Sequence, residues 1–214
     1  MLILRIIRKI LSLFAVSIAR DFFAKSDSDK QYILTFDDGP HPEWTPKLLN
    51  LLNLYNVKGL FFVVGECVDE YPDIVKRIHN EGHIVCNHSY WHKDVIQIPW
   101  TEYRDNYLRN EDLLRDLLNI ESAKPLVYRP PRGWIGPRAM FYFFLHHVSV
   151  LMWTTDSRDS IFWPADEIVA RMTNLSRKKE VLLFHDDSSL VLDVLEQTIP
   201  LWREQGVQLP ALKG

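Results

Sequence analysis

The sequence predicts an α/β fold, a parallel sheet covered by helices, and three observations carry that expectation. Short apolar runs, several rich in Val, Ile and Phe, alternate with amphipathic stretches about seven times along 214 residues. The composition, 47% hydrophobic and 25% charged, supports one large core. Clusters of Asp, His and Arg recur just after the apolar runs, where a parallel β/α architecture collects strand ends on one rim. Right-handed crossovers can wind such units into an open sheet or close them into a barrel, and periodicity does not separate the two.

The expected strands are 32–36, 59–64, 83–87, 125–129, 148–154, 180–184 and 206–209. Between them, "TPKLLNLLNLYN" places Leu48, Leu51, Leu52 and Tyr55 at helical spacing, with Thr45 as N-cap and Pro46 in the first turn. "YPDIVKRIHNEG" turns Ile74, Val75 and Ile78 to one face and stops at Gly82. A long amphipathic helix begins at a Thr101 cap, and "GPRAMFYFFLHH", "PADEIVARMTNLSRK" and "VLDVLEQTIPLWREQG" complete the set.

The sequence is expected to divide into an N-terminal segment, residues 1–24, and one larger domain, residues 25–214. The first twenty residues carry Arg5, Arg8 and Lys9, then an apolar run from Ile10 to Ala19. That order fits a signal peptide, an anchor or a membrane-surface helix, with a helix packed on the domain as the alternative. Membrane association through residues 1–20 and a place in the cell envelope follow from the first readings, a cytoplasmic place from the last. A formal net charge of −3 leaves no basic footprint for nucleic acid. Two cysteines, Cys67 and Cys86, make neither a disulfide framework nor a thiolate zinc site.

"LTFDDGPHP" sets the chemical question. Asp37 and Asp38 stand side by side where a buried strand ends, and adjacent carboxylates there are costly unless a cation or proton resolves them. His88 and His92, spaced i, i+4, face the same way on one helical turn and can grip one ion. Two His and one Asp suit a catalytic divalent cation with open positions. Successive strand residues point apart, so one aspartate ligates while the other serves as general base. Arg129 is a partner able to keep that base ionised.

"TFDDGP", "HSYWH", "YRPPRG", "WTTDSRDS" and "LLFHD" follow one another as in the polysaccharide deacetylase family, carbohydrate esterase family four or the NodB homology domain, which the chain resembles over about residues 32–210. The resemblance implies a distorted (β/α) barrel of about seven parallel strands with helices outside. It implies Asp37 as base, Asp38, His88 and His92 as metal ligands, and Arg129 as the residue orienting the base. Arg132, between Pro131 and Gly133, takes the place whose backbone N–H holds the oxyanion. Leu183 lines the acetyl pocket, His185 is the general acid, and Asp156 is the carboxylate that bonds His185. The implied cofactor is a divalent metal, zinc first, with cobalt, nickel or manganese as others. The implied partner is an acetylated glycan, and the implied reaction is hydrolysis of N-acetyl groups on a polysaccharide or oligosaccharide. An O-acetyl esterase and a metal-retaining, non-catalytic glycan-binding relative are the alternatives. Two positions depart from the pattern. Ser160 follows Asp159 where the family usually has Trp, so either Phe162 or Trp163 supplies that wall or the wall is absent, and Arg132 stands where the family often has an aromatic residue.

Overall fold

The computed structural model describes residues 22–23, 30–93, 98–161 and 164–212. Its elements in order are β1 (Gln31–Asp37), α1 (Trp44–Leu54), β2 (Gly59–Val63), α2 (Gly65–Glu70), α3 (Pro72–Asn80), β3 (Ile84–Asn87), α4 (Trp100–Leu118), α5 (Pro137–Leu145), β4 (Thr155–Asp156), α6 (Ala165–Thr173), β5 (Lys179–His185) and α7 (Leu190–Glu204). Five parallel strands pair in the order β3-β2-β1-β5-β4.

The expected strands at 125–129, 148–154 and 206–209 are reduced to single parallel bridges: Asn87 to Tyr128, Tyr128 to Val150, and Gln31 to Gln208. Those bridges still close the ring. The chain from Val150 to Asp156 donates Leu151 N–H to Tyr128 O on one side and Thr154 N–H to Val181 O on the other. The reduction has a local cause at 125–129, which lies between Pro125 and Pro130-Pro131, and proline cannot donate to a ladder.

Strand alternation sorts the core into two layers. Tyr32, Leu34, Phe36, Phe61, Val63, Leu182 and Phe184 face outward and pack on α1, α6 and α7. Ile33, Leu60, Phe62, Cys86, Leu151 and Val181 fill the interior, with Phe23 beneath them. Continuing the inward parity upward gives Thr35 and Leu183, then Asp37 and His185, which are partners in the β1–β5 register. The barrel is thus plugged with apolar residues below and polar ones at the carboxyl rim.

Two helix starts differ from expectation. α1 begins at Trp44, so Thr45 lies inside it, buried. α4 starts at Trp100 after Pro99, one residue before Thr101. Residues 1–20 lie outside the described residues, and with them the expectations placed on the N-terminal segment. Among the described residues, no helix is long and apolar enough to cross a membrane.

Candidate active site

Asp37 ends β1 with its side chain pointing inward, only 4% exposed. Its Oδ1 accepts a 2.6 Å bond from Nη1 of Arg129, a residue with no exposed surface. Arg129 is held through Nε and Nη1. Nη1 also donates to Thr35 Oγ1 (2.8 Å), Nε donates to Leu151 O (2.9 Å), and the guanidinium stacks 4.0 Å from the Phe62 ring centre. A buried arginine bonded this closely fixes the rotamer of its partner carboxylate. Asp37 Oδ2 is left facing the rim, 3.7 Å from His88 Nε2.

Alternation alone would turn Asp38 away from Asp37. Asp38 instead takes a left-handed φ of 75°, and its carboxylate swings back over the same rim. Oδ1 lies 3.3 Å from His88 Nε2 and 3.3 Å from His92 Nε2. The next residue must be glycine, because a Cβ on Gly39 would fall 2.2 Å from the Asp186 carboxylate.

The two histidines are brought together by a loop. Residues 88–92 form no helical turn, and Ser89 has a φ of 70°. This corrects the expectation from i, i+4 spacing. The loop is anchored from below: Asn106 accepts from Trp91 N–H and donates to Trp91 O, and Asn87 Oδ1 accepts from Ser89 N–H. His88 Nδ1 donates to Arg129 O at 2.7 Å, which presents the Nε2 lone pair to the rim.

Asp38, His88 and His92 fit a divalent cation. Their ligand atoms lie within 4.8 Å of one another. Donors held tetrahedrally about 2.1 Å from one ion lie about 3.4 Å apart, close to the two 3.3 Å separations seen. Asp38 Oδ1 is buried with no hydrogen-bond partner among the described residues, a costly state that an ion relieves. Protonation states agree. Burial alone would push the Asp38 carboxyl up, but the close approach of His88, then His92 and His185, holds it well below the usual carboxylate range. Burial pushes the His92 imidazole down, toward the neutral form that ligates.

His185 closes the opposite side. Its Nε2 is 4.0 Å from Asp38 Oδ2, and its Nδ1 bonds Asp159 Oδ1 at 2.7 Å. Asp159 Oδ2 accepts the His185 backbone N–H at 2.8 Å, so one carboxylate grips the residue twice. Burial alone would lower the imidazole, but the bond to Asp159 and its charge prevail and raise it to about 10.

A family model described as polysaccharide deacetylase matches residues 24–141. The chain belongs to the polysaccharide deacetylase family. It is similar to a peptidoglycan-N-acetylglucosamine deacetylase of Bacillus cereus, 34% identical over 84% of this chain and 66% of that one. A peptidoglycan-N-acetylmuramic acid deacetylase of Bacillus subtilis is 30% identical over 85% of this chain and 38% of its own length. Among solved structures, the Bc1960 peptidoglycan N-acetylglucosamine deacetylase superposes with a TM-score of 0.79 at 32% identity, covering 87% of both chains.

Of the residues singled out in the sequence, the rim brings together Asp37, Asp38, His88, His92, Arg129 and His185 but not Asp156. In the register, Asp156 pairs with Leu183, two residues below His185, so it stands about 6.5 Å too low along the strand. Its carboxylate instead accepts Arg158 N–H and shapes the turn that lifts Asp159 to the histidine. Asp159 is therefore the partner that the Asp156 assignment missed. Leu183 is buried and points inward beneath His185. Pro131 is buried, and Arg132 beside it is exposed at φ 57°, near enough for its charge to act on His92. Phe162 and Trp163 lie outside the described residues. Sequence reasoning also passed over Thr35 and Asp186. Asp186 is buried and accepts a bond from Thr45 Oγ1, and burial pushes its carboxyl up to about 7.

Proposed function

We propose that the chain hydrolyses the N-acetyl group of N-acetylated sugars in a glycan, with peptidoglycan as its substrate class and the cell envelope as its place of action. The observation that carries this reading is the placement of two groups around the Asp38–His88–His92 triad. Asp37, paired with Arg129, stands on one side and His185, protonated through Asp159, on the other. The similar proteins named as peptidoglycan deacetylases support the substrate class.

A divalent cation on Asp38, His88 and His92, with zinc best matched to a His2Asp set, supplies Lewis acidity when bound. Asp37 Oδ2 accepts a proton from water as the water oxygen adds to the amide carbonyl carbon. Arg129 holds the carboxylate through Oδ1, leaving Oδ2 for that proton. The backbone N–H at Arg132 would stabilise the charged carbonyl oxygen, with Leu183 beneath as the apolar floor. His185 Nε2–H donates to the sugar nitrogen as the C–N bond breaks, giving acetate and a free amine. An amine leaving group needs that proton, which is why Asp159 matters.

The arginine at 132 favours an acidic sugar, such as a muramic acid with its lactyl carboxylate, at the neighbouring subsite. The test is acetate release from N-acetylglucosamine oligomers, peptidoglycan and O-acetylated xylan, with and without chelator. Asp37→Asn should keep cation binding and lose at least about 10³-fold in kcat. Release from the O-acetyl substrate alone would favour the esterase reading, and cation binding without release from any of them the non-catalytic one.

A further inference from the structure

Helix α5 is apolar on both faces. Ala139 and Phe143 pack inward, while Met140, Phe141, Phe144 and Leu145 form one continuous outward stripe. Phe144 is 77% exposed and Phe141 64%. Trp134, 43% exposed, stands in the loop leading into the helix. An amphipathic helix would carry charge on that face, and a stripe of this size marks a docking surface. A recess of about 250 Å³ opens at the start of α5, lined by Ile98, Trp100, Tyr103, Pro137 and Arg138.

The charge around the stripe says what docks there. From Ser122 to Thr155 the chain contains no Asp or Glu, although it has 28 acidic residues elsewhere. Lys124, Arg132, Arg138, His146 and His147 in that stretch are exposed. The nearby carboxylates on α4 are already paired, Glu102 with Lys93 and Asp105 with Arg104. We propose that the α5 face docks on an anionic lipid bilayer, with Phe141, Phe144 and Leu145 entering the interface and Arg138 and the histidines meeting headgroups.

Two other occupants fit less well. Residues 1–20 are apolar but also lack acidic residues and carry Arg5, Arg8, Lys9 and Arg20, so covering α5 with them would set like charges together. A second copy meeting through the same stripe would oppose Arg138 and the histidines to their own equivalents. An anionic surface accepts both cationic segments of the chain at once, each adding to the other's binding.

The experiment is co-sedimentation of the full chain with vesicles of phosphatidylcholine, alone or mixed with phosphatidylglycerol. Binding should need the anionic lipid and weaken with salt. Phe141→Ser/Phe144→Ser should lower apparent affinity at least about tenfold, because the two rings together contribute more than about 1.4 kcal/mol on burial. The same variant should keep kcat/KM on a soluble oligosaccharide within about twofold. The proposal is overturned by failure of the wild-type chain to bind, or by equal binding of the variant. A large fall in the variant's melting temperature without vesicles would show that residues 1–20 cover the stripe, and also overturns it. So does conversion of a wild-type dimer to monomer with vesicle binding unchanged.

Discussion

His185 ends its strand with Nδ1 committed to Asp159 and Nε2 aimed at the rim. Asp159→Asn keeps the shape but removes the charge that holds the imidazolium. Its kcat on an N-acetyl sugar should fall about 10- to 100-fold, and the alkaline limb of the pH profile should move to lower pH. Asp156→Asn should change neither by more than about threefold, since that carboxylate bonds the Arg158 N–H and stands below His185. A pH-rate profile of both variants decides the matter. Two aspartates three residues apart look equivalent in "TTDSRDS"; what separates them is the register of β4 on β5 and a left-handed Arg158, neither of which spacing reveals. Asp186 makes a second, independent prediction. Its folded value of about 7 exceeds the ordinary 3.8, so folding takes up a proton. That stabilisation is full below about pH 4 and is lost as pH rises through about 7. In chelator, wild type should therefore lose on the order of 2–4 kcal/mol more stability than Asp186→Asn between pH 4 and 8, read from urea midpoints. Equal losses would remove Asp186 as the source.

At the scale of elements, the site hangs on turns that follow the strands. The turn after β1 carries Asp38 at positive φ, then Gly39 pressed on Asp186. Gly39→Ala should push this turn and the carboxylate apart, lowering cation affinity at least about tenfold by titration calorimetry and costing about 2 kcal/mol of stability. Unchanged affinity would mean that the turn absorbs the methyl without moving Asp38. The strands themselves were legible because β1, β2 and β5 are buried on both faces and read as unbroken apolar runs. The chain around Tyr128 and Val150 was legible as strand but survives as single bridges. The His88–His92 pair was legible as a ligand pair while its backbone was not, because the loop takes its shape from the distant Asn106 side chain.

Across the whole molecule, the three candidate ligands come from two places on the ring, the end of β1 and the loop after β3, with β2 lying between those strands. His88 is further tied to Arg129 O on the neighbouring segment of the ring, and Arg129 to Asp37 on β1 and to Leu151. A cation on Asp38, His88 and His92 would therefore join segments that separate when the barrel opens, and would bind the folded state in preference to the unfolded one. Its stabilisation is then set by mass action, about 2.7 kcal/mol at a free concentration of 100 Kd. For a chain of this size that corresponds to a rise in Tm of roughly 5–10 °C. Zinc added to chelator-treated protein should produce this rise, and renewed chelation should reverse it. His92→Ala removes a half-exposed ligand at the rim and little of the core, so its Tm without metal should stay within about 2 °C of wild type while the zinc-dependent rise shrinks by more than half. A full rise in that variant would place the cation elsewhere and remove the triad from the mechanism.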